Sequence, residues 1–258
     1  MPPDFIYTLP HGGMLLVILA LVGSIALALH VAVARWPLKN VSQRLPELSP
    51  AIITLCGTLF GLSVTFLANS VWTTEDRARQ MVNTEARDIR VIKVYMDSFT
   101  GPTQDGFTHL ITAYANAVAA EWNNMTDPNA RAPAERELRN LYAAVINGFS
   151  EGEQNRMLQQ RLLSALDSLS IARQQRLSMA LDVVSAGQWL LVSGLGLLLL
   201  VMVALGHARF PLPRSVAMAA MTAAITLALF VIVVHDRPFL GYSALSPQPI
   251  LRAAGIAP

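Results

Sequence analysis

Four stretches of this chain are apolar without a single Asp, Glu, Lys or Arg: residues 13–34, 49–72, 187–206 and 215–234. A spanning helix needs about 20 apolar residues, so the pattern predicts four membrane helices. Between the second and third stretches the chain turns polar but keeps a helical period. "TTEDRARQMVNTEARDIRVIKVYM" follows the second stretch with no Gly or Pro, which predicts that this span continues as one long helix. "GPTQDG" ends it. Phe107, Leu110, Ile111, Tyr114, Val118 and Trp122 then keep i, i+3, i+4 spacing, and "MTDPNARAP" ends that helix. A third polar-block helix carries Leu138, Leu141, Tyr142, Val145 and Ile146. A fourth, with Leu158, Leu162, Leu166, Leu169, Leu177 and Leu181, is expected to lead unbroken into the third span.

The fold class expected is therefore an all-α membrane protein, four transmembrane helices with a four-helix extramembrane bundle inserted between spans 2 and 3. Its divisions are an N-terminal tail with spans 1 and 2 (1–72), the bundle (73–186), spans 3 and 4 (187–235) and a C-terminal interfacial tail (236–258). Ala32 to Ala34 imitate a signal-peptide cleavage site. The first run nevertheless reads as a span, because no Lys or Arg precedes it and it outruns the usual 7 to about 15 apolar residues of a signal.

Composition agrees. The 258 residues are 53% hydrophobic and 14% charged, with a net charge of +2, which gives no basic excess for nucleic acid. Four spans put both termini and the bundle on one side. The short loops on the other side carry Arg35, Lys39, Arg44, Arg209 and Arg214, which favours loops in the cytoplasm and the bundle outside it. Arg77, Arg79, Arg87 and Arg90, close to a span end, count in the other direction.

Catalytic signatures such as H-E-x-x-H, G-x-S-x-G, the P-loop and C-x-x-C are absent, and His11, His30, His109, His207 and His235 are never paired at i, i+4. The sequence predicts no enzyme, metal site or cofactor. Cys56 lies alone in an apolar run, and His207 and His235 read as span-end residues.

The second span is the informative one. Thr54, Thr58, Gly61, Thr65 and Asn69 recur at steps of four and three and form one polar stripe, with Leu55, Leu59, Leu62 and Phe66 as the expected opposite, greasy face. Hydroxyls and an amide at bilayer depth must meet other helices or water. Either they glue helices together, or copies of this helix ring a water-filled axis whose wall offers donors and acceptors to an ion. Gly57 and Gly61 form a G-x-x-x-G pair that permits close approach. Further along, Asp76, Arg79, Asn83, Arg87 and Arg90 continue the face as candidates for a charged vestibule, or as an ordinary solvated surface. Glu85, set among Met81, Val82, Ala86 and Ile89, is expected to be half buried against Arg173 or Arg176.

The fourth span ends on Asp236-Arg237-Pro238-Phe239, where proline stops the helix, Arg237 complements its dipole and Phe239 suits the membrane interface. "DRPFLGYSALSPQPI" resembles the closing signature of the bacterial bestrophin-like membrane proteins. "LFGLSVTFLANSVW", "VNTEARDI", "AYANAVAAEW" and "ARQQRL" resemble that family too, so the similarity covers nearly the whole chain. The resemblance implies a four-span homo-oligomer of the bacterial inner membrane, with a pentamer as the analogy, related to bestrophin anion channels. Glu85, Arg173, Arg176, Asp236, Arg237, Pro238 and Phe239 match the family pattern. Phe60 and Phe66 are candidates for the apolar neck that bestrophins line from their second span. The acidic calcium clasp of animal bestrophins has no counterpart. The expected function is a homo-oligomeric ion channel in the lipid bilayer, anion conduction favoured because Arg79, Arg87 and Arg90 outnumber Asp76. The alternative is a non-conducting scaffold or sensor whose bundle binds a partner or ligand.

Overall fold

The computed structural model describes residues 4–35, 50–97, 102–149, 153–181 and 184–256; the loop carrying Lys39 and Arg44 lies outside them. The described residues contain no strand. The helices are α1 (His11–Arg35), α2 (Pro50–Met96), α3 (Pro102–Glu121), α4 (Pro128–Asn147), α5 (Glu153–Leu181), α6 (Ala186–Gly206), α7 (Pro211–His235) and α8 (Gln248–Ala254). Four of them include a stretch long and apolar enough to cross a membrane, namely α1, α2, α6 and α7. The chain forms two compact units, residues 1–73, 184–237 and 241–243 in the first and 74–183, 238–240 and 244–258 in the second.

In the first unit α1 packs along α7, and α6 packs against both. The inward face of α1 is Met14, Ile18, Val22 and Ala26, a straight i, i+4 row, while Leu16, Leu21 and Leu27 stay exposed as in a lipid-facing helix. Gly196 of α6 lets α2 and α7 come close: a Cβ there would lie 3.4 Å from the Phe60 ring and 3.6 Å from Ile225. Arg214, counted above as a loop cation, is buried at the start of α7, with Nε donating to His30 at 3.4 Å.

The second unit has one apolar core. Val82, Ile89, Ile92 and Met96 of α2 meet Phe107, Ile111, Tyr114 and Val118 of α3, Leu138, Leu141 and Val145 of α4, and Leu162, Leu166, Leu169 and Leu177 of α5.

Two sequence expectations are corrected here and a third is refined. The path from α5 to α6 is not one helix. Ser185 is extended (ψ 151°), its hydroxyl accepts from Gln188 N, and the Gln188 side chain accepts from Ser185 N. This reciprocal pair is a capping box, which starts a new helix by satisfying otherwise orphaned backbone donors. "MTDPNARAP" does end α3, at Glu121, but the next helix begins inside that stretch: Asp127 caps α4 by accepting from Asn129 N at 2.9 Å, Pro128 starts it, and Pro133 rides inside it. Finally, within the expected interfacial tail of 236–258, α8 packs into an apolar core instead. α8 inserts Ile250, Ala253 and Ala254 into the core of the second unit, and Gly255 (φ 84°) ends it in the left-handed conformation that suits glycine.

Candidate functional site

On α2 every residue of the predicted stripe, Thr54, Thr58, Gly61, Thr65 and Asn69, is exposed on the protomer. At about 100° per residue, Leu55, Leu59, Leu62 and Phe66 lie only about a quarter turn away and are exposed as well. They are the neighbouring face and not the opposite one. The opposite face is Cys56, Phe60, Leu67 and Val71, all buried. Phe60, at 8% exposure, packs inside the protomer against α6 and cannot narrow a passage lined by the threonines, whereas Phe66, at 72%, borders them. The hydroxyls of Thr58 and Thr65 donate to the carbonyls of Thr54 (2.9 Å) and Gly61 (2.8 Å) on their own helix. Their protons are thus committed, which leaves each hydroxyl oxygen free to accept. Asn69 carries two donors and an acceptor, more than its own helix backbone can satisfy. A Cβ on Gly57 or Gly61 would meet open space, so no helix among the described residues uses their close approach.

Asp76, Arg79, Asn83, Arg87 and Arg90 are exposed too. Ten helical turns of 3.6 residues separate Thr54 from Arg90, so the row returns to the azimuth on which it began. Local pairing lowers its charge. Arg79 bonds Glu75 at 2.9 Å, and Arg87 bonds Asp88 at 3.1 Å. Neither pair includes Arg90 or Asp76.

Beneath that surface the second unit holds a buried chain of charge. Arg176 donates through Nε to Glu85 (2.7 Å) and through Nη2 to Glu121 (2.8 Å). Glu121 accepts from Arg173 at 2.7 Å, and Tyr114 donates to Glu85 at 2.9 Å. The order Glu85, Arg176, Glu121, Arg173 alternates in sign and sums to zero, with Glu85, Glu121 and Arg176 wholly buried. Nη1 of Arg176 reaches Met125 Sδ at 2.9 Å, and its guanidinium stacks 4.8 Å over Trp122. Burial works against the charge of Arg176, but Glu85 and then Glu121 outweigh it and hold its pKa above the ordinary value. Glu85 is therefore fully and not half buried. Its partner is Arg176, while Arg173 goes to Glu121.

Glu121, Tyr114 and Met125 were missed from the sequence, although a signal existed. Residues 82, 85, 89 and 92 of α2, 111, 114, 118 and 121 of α3, and 162, 166, 169, 173 and 176 of α5 are continuous core registers, and the four charges stand in them where apolar residues would be expected.

The Asp-Arg-Pro-Phe corner is shared between the units. In the first, Asp236 is buried just past α7, accepts the Tyr7 hydroxyl, and accepts Val184 N at 2.8 Å. Arg237 stacks 4.8 Å over the Tyr7 ring. Gly241 (φ 95°) passes so near the Tyr7 carbonyl that any Cβ would collide, and His11 bonds Ser243 at 2.7 Å. In the second unit, Phe239, expected at the membrane interface, makes an edge-to-face contact with Trp122 at 5.7 Å. His207 and His235 bond carbonyls four residues back on their own helices, at 3.0 and 2.9 Å. No group of three or more metal-ligating side chains occurs among the described residues.

Burial, followed by the bond to Asp236, raises the pKa of Tyr7, and burial, followed by the charge of Glu85, raises that of Tyr114. Both folded-state values exceed the unfolded value near 10. The resulting stability is present below that pH and is lost as pH climbs through the raised values. In an alkaline titration followed by phenolate absorbance, these two tyrosines are expected to ionise only with unfolding. Ionisation at pH 10 with the fold intact would contradict the buried bonds.

Fold and sequence together define an all-α, multi-pass membrane protein. The chain belongs to the bestrophin-like family: the sequence model of the Bestrophin-like domain matches residues 20–250. Among solved structures it is similar to a bacterial bestrophin homologue from Klebsiella pneumoniae, with a TM-score of 0.70 at 13% identity, covering 94% of this chain and 99% of that one. A point mutant of that homologue gives a TM-score of 0.72 at 10% identity over 93% and 97%. No curated protein matches in sequence.

Proposed function

We propose that this protein is a homo-oligomeric ion channel, a pentamer on the bestrophin analogy, in the bacterial inner membrane, with α2 around the conducting axis and the second unit forming a vestibule. The observation that carries this reading is the exposure of the whole stripe Thr54, Thr58, Gly61, Thr65 and Asn69 on the protomer. Facing lipid, the Asn69 amide would lose its hydrogen bonds, at a cost of about 2 kcal/mol or more. Facing an axis shared by several copies, it meets water. The unused close approach at Gly57 and Gly61 suits contact with a second copy, and family membership favours a channel over an anchored scaffold.

Phe66 is the aromatic candidate for a constriction. Anion preference rests on Arg90, because Arg79 and Arg87 are already paired with carboxylates. Purified protein in liposomes is expected to release chloride, and Arg90→Glu to move the reversal potential toward cations further than Arg79→Glu does. Flux no greater than in protein-free liposomes would end the channel reading, and an unchanged selectivity in Arg90→Glu would remove the vestibule from the pathway.

A further inference from the structure

α4 and α5 flank an open cavity of about 510 Å³, within the range of roughly 300–1,000 Å³ usual for small-molecule sites. Arg131, Arg139 and Arg173 line it, with Glu135 as the one carboxylate among its lining residues and Leu138 and Leu177 as apolar wall. Arg173 is 4% exposed. Its Nη2 is committed to Glu121 and to the Arg131 carbonyl, and its Nη1 lies 3.9 Å from Glu135, beyond hydrogen-bond range. The buried Nε atoms of Arg173 and Arg131 have no hydrogen-bond partner among the described residues.

Those two Nε atoms are sealed from solvent, but Nη1 of the nine-tenths-buried Arg173 makes no hydrogen bond either, and a guanidinium donor left unused in the wall of a cavity suits an acceptor that comes from outside. Charge says what kind. The chain Glu85, Arg176, Glu121, Arg173 is neutral, so Arg131 and Arg139 against Glu135 leave one uncompensated positive charge. A monoanion balances it. Planar guanidinium forks match carboxylate geometry, and the leucines offer room for a short hydrocarbon body.

We propose that this cavity binds a small organic carboxylate, its head on Arg131 and Arg173 and its body against Leu138 and Leu177. The site is independent of whether the protein conducts.

The test is calorimetric titration of the full chain in detergent with hexanoate, with hexanol as the neutral probe and inorganic phosphate as the head alone. Hexanoate is expected to bind saturably and to raise the melting temperature, hexanol to do neither, and phosphate to bind more weakly. Arg131→Met is expected to weaken hexanoate about tenfold, the loss of one charge-assisted bond. It should melt no lower than the parent without ligand, because it deletes an unpaired donor. Arg139→Gln, an exposed change, supplies a second weakened variant should Arg131→Met fail to fold. Absence of saturable hexanoate binding, equal heats from hexanol, tighter binding of phosphate, or affinity unchanged in the folded variants would each overturn the proposal.

Discussion

Arg176→Met is expected to destabilise the second unit by about 3–5 kcal/mol, because it strips the counter-charge from a wholly buried Glu85 and removes half of that held by Glu121. The reasoning lies in the asymmetry of buried ion pairs. Assembling one gains little over an apolar core of the same volume, but removing one member strands the other in a poor dielectric. A second variant separates this from lost packing. Arg176→Met with Glu85→Gln leaves the Arg173–Glu121 pair neutral and keeps an acceptor for the Tyr114 hydroxyl. It is expected to recover more than half of the loss. Thermal unfolding of the purified chain, with limited proteolysis to locate the opening, reads both. If the single variant melts with the parent, the buried charges do not hold this unit together.

The second large effect belongs to α8. Ile250 is fully buried, and Ile250→Ala is expected to cost about 2–5 kcal/mol through lost transfer energy and the cavity left behind. A chain ending after Ser243 goes further. It removes Ile250, Ala253 and Ala254 from the core, the Leu245 carbonyl that accepts Trp122 Nε1 at 2.6 Å, and the Ala254 carbonyl that accepts Lys93 at 3.2 Å. Hydrogen exchange across α2 and α3 should rise toward that of an open bundle. Protection equal to the full chain would show that the last fifteen residues are dispensable to the core.

Much of this architecture could be read in advance. Uninterrupted apolar runs announced the four long helices, since length and the absence of charge are all that a span demands. The polar block showed its helices through leucine spacing. The readings that failed were junctions. Ser185 looked like any small residue between two helical patterns, and its role depends on Gln188 three positions later. α8 was overlooked because seven residues with three apolar anchors make a weak periodic signal, and their worth comes from a core assembled by distant helices. The charge chain was half legible. Glu85 stood out among apolar neighbours, but which arginine reaches it depends on the register between α2 and α5, which no local pattern encodes. On α2 the stripe was evident, while the inward face fell one residue from where leucine content suggested. Cys56 and Phe60 carry the packing, and the leucines are left outside.

The clasp at Tyr7 sets an order of events during synthesis. Tyr7 leaves the ribosome 229 or more positions ahead of Asp236, Arg237 and Gly241, which receive it. Every intermediate shorter than that inserts with Tyr7 unlatched, and the latch closes only once all four spans have been made.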